Sequence, residues 1–429
     1  MGSWFWPEGA LAVLMVGTFA LGAFRLKLPI SIAMGLASVA GALFGGFGLP
    51  VRHLVEGMFG YLDTVLIIAC AMIFMKAVQG CGLLDSLAAW TVRRFKGHPV
   101  LLCVAVTLLI MLPGMITGSS TASCLTTGAL VAPVLVSLGV PKAKGAAAIA
   151  MGAIYGMIAP PIDIPVMIIG GGIDMPYVGF TRPLLFATVP LAVLSSLWLL
   201  LPHLKGFQGE SEELEAKLRA MEEVPLTPLL FLPFGVLVGL MGLESLFKGV
   251  LSLGMPLQFL LASGAAFLVG RRSNPLSVAR EAVRDAMPVL GILMGVGMFI
   301  QIMTLTGVRG FLVVSCLAVP LALLYPVMGI SIPLFGAVSA FGSASVLGVP
   351  FVLALLGKDQ VVVSSALALL AGLGDLMPPT ALAGIFAAQV AGEEDYFRVL
   401  RHCIVPAGLT VLWGLGMVAA ANPLAALLK

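Results

Sequence analysis

Two kinds of polar interruption break an otherwise apolar chain, and each occurs twice. The first is a run of small and hydroxyl-bearing residues, Gly118-Ser119-Ser120-Thr121-Ala122-Ser123 and later Gly342-Ser343-Ala344-Ser345. Non-helical backbone at membrane depth persists only where protein buries it or an aqueous cavity receives it. A turn of this composition offers free backbone N–H groups, carbonyls and short hydroxyls that can hold a carboxylate beside a dehydrated cation. Close helix packing explains a single run of small residues; recurrence in two places favours a site. The second interruption is a double proline, Pro160-Pro161 and Pro378-Pro379, each four residues after a glycine, Gly156 or Gly374. Proline lacks an amide donor and clashes with the preceding turn, so each pair breaks its helix. The carbonyls freed before the break are hard oxygen ligands suited to sodium, and the next half-helix turns its positive end toward an anion. Asp163 and Asp375 stand beside the two breaks. Ionisable groups inside a membrane face a cavity or a partner, so either carboxylate can bind a coupling cation or carry a proton. Asp163 can also serve as the cap of the following half-helix. The residues expected to bind substrate are Ser119, Ser120, Thr121, Ser123, Ser343, Ser345 and Thr380. Those expected to bind the cation are Gly118, Gly156, Pro160, Asp163, Gly342, Gly374, Asp375 and Pro378.

The elements that position these residues follow from composition. Of 429 residues, 60% are hydrophobic and only 10% charged. A soluble domain carries about 25% charged residues, so most of this surface meets a lipid bilayer. Apolar segments at 10–24, 28–49, 65–78 and 184–201 approach the roughly 20 residues that cross a bilayer core. Residues 1–10 carry Glu8 and no basic residue, which argues against a cleaved signal peptide. The six cysteines form no CxxC pair, and the four histidines lack metal-ligand spacing. The cysteines are therefore read as reduced small hydrophobes, and no metal is expected beyond a transported sodium. A net charge of +3 gives no reason to expect a nucleic-acid partner.

An internal repeat organises the chain. Glu56, Phe74 and Gly82 recur as Glu281, Phe299 and Gly307 at one constant offset, and Gly118-Ser119 pairs with Gly342-Ser343 at nearly the same offset. Beyond these runs the offset shrinks, and Gly156 with its double proline, Arg182 and Pro190 match Gly374 with its double proline, Arg398 and Pro406. The shrinkage is close to two helical turns, as though one hairpin had been shortened without turning its inward face.

Basic residues set the orientation. Arg25 and Lys27, then Arg93, Arg94 and Lys96, then Lys142 and Lys144, then Lys205 to Arg219, then Arg271 to Arg284 cluster in polar segments. The positive-inside rule places them in the cytoplasm and leaves Arg52, Arg182, Lys248, Arg309, Lys358 and Lys429 outside. Five crossings per half result, near 8–24, 28–47, 62–80, 145–173 and 184–202, with both termini periplasmic and the two halves inverted. The chain reads as an all-α polytopic membrane protein: a first repeat, 1–202, with a re-entrant hairpin at 98–139 and a broken helix at 145–173; a cytoplasmic linker helix within 203–225; and a second repeat, 226–429, with a hairpin at 311–357 and a broken helix at 361–391. Glu56 and Glu281 lie on amphipathic stretches read as interface helices that brace a fixed frame. Lys76 and Gln301 read as structural, and Trp4, Trp6 and Trp90 as interfacial anchors.

The run Gly114-x-x-x-Gly118-Ser119-Ser120-x-Ala122-Ser123, then Gly156-x-Ile158-x-Pro160-Pro161, then Pro165-x-x-Ile168-x-Gly170, resembles the large membrane subunit of tripartite ATP-independent periplasmic (TRAP) transporters, the DctM-like family. Leu28-Pro29-Ile30-Ser31-Ile32-Ala33 and Gly82-Leu83-Leu84 fit as well. The resemblance spans most of the chain. It implies an elevator-type fold of the ion transporter superfamily, in which a mobile domain carries the hairpins and broken helices. It also implies sodium-coupled uptake of a small organic anion across a bacterial inner membrane, with no cofactor. Two partners are implied, a small four-helix membrane subunit and a periplasmic solute-binding protein. Three positions depart from the family pattern: Ile162-Asp163 stands where a small hydroxyl residue usually follows the first double proline, 342–350 is short for a hairpin tip, and Asp375 replaces an uncharged residue. They leave a proton open as coupling ion. A stand-alone cation/organic-anion symporter of the same superfamily is the alternative reading. An enzyme is not expected, since no histidine or lysine is spaced to activate a serine, and broken helices in an inverted repeat suit alternating access better than a pore.

Overall fold

The computed structural model describes residues 7–204, 212–222, 224–247, 253–378 and 380–428. Pro379, Trp4, Trp6, Lys205, Lys248 and Lys429 lie outside the described residues. The regular elements among those described are all helices, without a strand. Seven helical segments are long and apolar enough to span a bilayer, among them Leu62–Gly80, Thr181–Leu204, Pro275–Leu305 and Tyr396–Ala419.

Element order repeats. The first half runs through Glu8–Ala20, Ile30–Phe44, a short helix Val51–Phe59, Leu62–Gly80 and Leu83–Phe95. A hairpin follows, its limbs Pro99–Thr117 and Ser120–Ser137. Then come Lys142–Ile158 and Ile164–Gly172, which are the two parts of a broken helix, and Thr181–Leu204. The second half runs through Leu232–Leu246, Gly254–Ala266, Pro275–Leu305 and Val308–Ala318. Its hairpin has limbs Leu321–Gly336 and Ala340–Ala354, its broken helix parts Gln360–Gly372 and Leu382–Ala391, and Tyr396–Ala419 ends the repeat.

Three expectations are corrected. The second hairpin begins at Leu321 rather than near 311, because Val308–Ala318 is a separate helix that stops before Pro320. The stretch around Glu281 is no separate interface helix either. It is the first part of one 31-residue helix, Pro275–Leu305. In the first half, Tyr61 leaves helical geometry (φ −111°, ψ 21°) and divides Val51–Phe59 from Leu62–Gly80; the second half has no such break. The third correction concerns the second hairpin tip. Ser339 caps Ala340–Ser343, a π-helical turn Ala344–Gly348 follows, and Gly342 lies inside the helical turn. The first tip has the same order: Ser119 caps Ser120–Ser123, then comes the π turn Cys124–Gly128. Ser119 therefore corresponds to Ser339, and Ser123 to Ser343.

Lys142–Ile158 is buried at nearly every position, as is Gln360–Gly372. A helix apolar all round belongs at the centre of a bundle, and these two form the middle of the molecule. Each hairpin tip packs on its own broken helix and also on the second part of the other half's broken helix: Ser120–Ser123 meets Leu382–Ala391, and Ala340–Ser343 meets Ile164–Gly172. Around this core, Pro275–Leu305 packs against Ile30–Phe44, Val51–Phe59 and Leu62–Gly80 as a frame. Lys76 ties two frame helices through a 2.7 Å ion pair to Asp285, so it has a charge partner as well as an apolar stem. In the linker, the helix Glu212–Met221 is held to Leu83–Phe95 by Arg93 with Glu215 and Glu222, and by Lys96 with Glu215 at 3.3 Å.

Candidate functional site

The two hairpins cross their broken helices at paired glycines. A Cβ on Gly156 would lie 2.5 Å from the Met111 carbonyl oxygen, and one on Gly114 would lie 2.8 Å from the Gly156 carbonyl carbon. In the second half a Cβ on Gly374 would lie 2.4 Å from the Gly336 Cα. Neither crossing admits a side chain. Gly156 and Gly374, expected as cation ligands, thus set helix spacing, and their carbonyls already accept bonds from the Ala159 and Met377 N–H groups, at 3.2 and 2.8 Å.

Each tip is also tied to the break beside it. Gly118 takes the left-handed conformation (φ 64°) that ends the outer limb, with Ile162 and Ile164 packed where its side chain would be. The Ile162 N–H donates to the Met115 carbonyl at 3.1 Å. In the second half the corresponding tie is a side chain, with the Thr380 hydroxyl donating to the Ala337 carbonyl at 2.6 Å. Thr380 is therefore occupied with fixing the second tip. Pro160 is buried, whereas Pro378 is exposed, so the two breaks differ in surroundings.

The tips converge on a cavity of about 290 Å³. Ser119, Ser120 and Thr121 line it from the first hairpin, and Ser339, Ala340 and Phe341 from the second. Met157 and Asp375, at matching places on the two broken helices, complete the inner wall, and Asp285, Pro288, Val289 and Ile292 of the frame form the outer wall. Ser120 donates a hydrogen bond to Asp375 Oδ2. A second cavity of about 440 Å³ adjoins, sharing Ser119, Thr121, Asp285 and Pro288 and adding Lys76 and Arg284.

The remaining expected residues do not reach the cavity. Ser343 donates to the Ile332 carbonyl at 2.6 Å and Ser345 to the Gly342 carbonyl at 2.8 Å, both buried inside the second hairpin. Ser123 is buried between the limbs of the first hairpin, its hydroxyl without a protein partner. Asp163 is fully buried; Oδ1 caps Ile164–Gly172 by accepting the Val166 N–H at 3.0 Å, and Oδ2 has no partner. Ser339 is the site residue that sequence reasoning passed over. Its signal was its place three residues before Gly342, the spacing of an N-cap; the glycine-serine pair drew the alignment four residues too far.

Two frame side chains hold the far end of the first broken helix. Tyr61 donates to the Ile168 carbonyl at 2.9 Å, its ring against Gly171, and Arg309 donates to the Gly172 carbonyl at the helix C-terminus. A cation there complements the helix dipole.

Residues 15–421 match the family of the tripartite ATP-independent periplasmic transporter, DctM component. The chain belongs to this family. The TRAP permease is thus the membrane component of a secondary transporter and an inner-membrane protein, in agreement with its apolar helices. A search of the curated proteins found no match. Among solved structures, the DctM chain is similar to the Alcanivorax borkumensis YdaH transporter, at 18% identity and a TM-score of 0.63, over 96% of this chain and 98% of that one. It is also similar to Neisseria gonorrhoeae MtrF, described as illuminating a class of antimetabolite efflux pumps, at 14% identity and a TM-score of 0.59, over 96% and 94%. At these identities the likeness is one of fold.

Proposed function

We propose that this DctM chain is the permease subunit of a sodium-coupled importer for a small carboxylate-bearing solute, served by a separate four-helix membrane subunit and a periplasmic solute-binding protein. The observation that carries the reading is the cavity whose inner wall is built from two hairpin tips and two helix breaks and whose outer wall is a packed frame. A solute held between such walls travels with the inner one, which is an elevator movement. The hydroxyls of Ser119, Thr121 and Ser339 are short donors for a carboxylate. Cation coupling is supported by Asp163 and Ser123, whose buried oxygens lack a protein partner. An unpaired buried carboxylate oxygen costs several kcal/mol until a cation or proton reaches it.

The test is uptake into proteoliposomes holding this chain and the four-helix subunit, with the binding protein outside. Uptake of a carboxylate should require an inward sodium gradient and the binding protein. Equal uptake under a proton gradient alone would remove sodium from the reading. Equal uptake without the binding protein would make the chain a stand-alone symporter.

A further inference from the structure

The charge inside the solute cavity has the wrong sign for a simple anion. Among the described residues two ionisable side chains line it, and both are carboxylates, Asp285 and Asp375. Asp285 is balanced by Lys76 at 2.7 Å. Asp375 is buried, and it accepts a hydrogen bond from the neutral hydroxyl of Ser120. Among the described residues no lysine or arginine lines this cavity; Lys76 and Arg284 line the adjoining one. A carboxylate shielded from water and left without a counter-charge is costly. It also repels a solute that carries only negative charge.

Resting on the carboxylate-transport reading above, we propose that Asp375 is the counter-ion for a positive group on the solute, which is therefore an ammonium-bearing carboxylate. The cavity that Asp375 lines also holds two aromatic rings, Phe341 and Phe386, together with Met157 and Leu382. Aromatic faces attract ammonium groups, above all alkylated ones. The hydroxyls of Ser119, Thr121 and Ser339 remain for the solute carboxylate. The cavity then offers groups for both charges of a zwitterion, and its volume of about 290 Å³ limits the solute to a small one. Asp163 does not share this task, because it lies fully buried as the cap of the first broken helix.

The test uses the full-length chain purified in nanodiscs, with sodium present and binding read as thermal stabilisation against concentration. The probes are matched pairs on one carbon skeleton: 2-amino carboxylates and their N-methylated forms, each against the 2-hydroxy carboxylate. The native chain should bind at least one ammonium-bearing probe and prefer it to its hydroxy twin by about ten-fold or more. Asp375→Asn should erase that preference, whereas Asp375→Glu, which keeps the charge, should retain most of it; native-like unfolding midpoints show that both variants fold. Hydroxy twins that bind as tightly as the ammonium probes, or an Asp375→Asn preference equal to native, would overturn the assignment while leaving carboxylate transport standing. Binding of no carboxylate of either kind would remove both.

Discussion

Replacing Gly374 by alanine should destabilise the chain far more than the same replacement at Gly342, although each glycine belongs to one of the two repeated motifs, Gly342 before a serine and Gly374 four residues before a proline pair. At Gly374 the new methyl would sit 2.4 Å from the Gly336 Cα and 2.5 Å from its carbonyl carbon and oxygen. These are backbone atoms, so the hairpin limb must move away from the broken helix. Overpacking of this kind costs about 1–3 kcal/mol, at the upper end here because no side chain can rotate aside. At Gly342 the nearest atom would be the Ser339 Cβ at 3.4 Å, an ordinary contact. There alanine instead removes glycine's helical penalty of about 1 kcal/mol. Thermal and denaturant unfolding of the purified variants measures the difference. The order predicted is Gly374→Ala well below native and Gly342→Ala at or slightly above it. A Gly342→Ala variant as unstable as Gly374→Ala would put the tip back at Gly342 and refute the register that places Ser339 at the cavity.

Other substitutions separate structural from transport roles. Asp163→Asn keeps an N-cap oxygen, so it should cost little stability, while Asp163→Ala should lose about 1 kcal/mol; both should abolish the sodium dependence of uptake, and sodium dependence surviving in Asp163→Asn would reduce the residue to a cap. Tyr61→Phe should loosen the hold on Ile168 by about 0.5–1.5 kcal/mol, and Arg309→Gln the hold on Gly172 by about 1.5–3 kcal/mol. Hydrogen exchange of amides in 164–173 reports both, and unchanged protection would show that packing alone holds the helix. Thr380→Val leaves the Ala337 carbonyl without its hydroxyl donor and should cost about 1 kcal/mol without altering which solutes are bound; a changed solute preference would return Thr380 to the binding surface.

Much of the architecture could be read from the chain because the membrane restricts it so strongly. Apolar length and the doubled prolines mark helices and breaks, and the breaks do fall between Ile158 and Ile164 and between Leu376 and Leu382. Ser119, Ser120, Thr121 and Asp375 reach the cavity because a polar group at that depth has few other places to be. What could not be read was register and direction. Ser343 and Ser345 have the composition of binding residues, yet a helix can also satisfy a serine through a carbonyl three or four residues back or on a neighbouring limb. Only coordinates distinguish these. The merging of the Glu281 segment into Pro275–Leu305 was equally hidden, since amphipathic pattern marks a face and says nothing about whether a helix bends away from the next. Tyr61 and Arg309 gave no pattern at all, because each acts through a backbone carbonyl more than a hundred residues distant in sequence.

Solute protection of single cysteines tests the central claim, that both hairpin tips face one solute. Thr121→Cys and Ser339→Cys, each in a background lacking reactive native thiols, should react with a small polar thiol reagent, and the transported solute with sodium should slow both reactions. Ser343→Cys, buried inside its hairpin, should react with neither condition. Protection at 121 together with free reaction at 339 in saturating solute would place the solute outside the space between the tips and contradict the account.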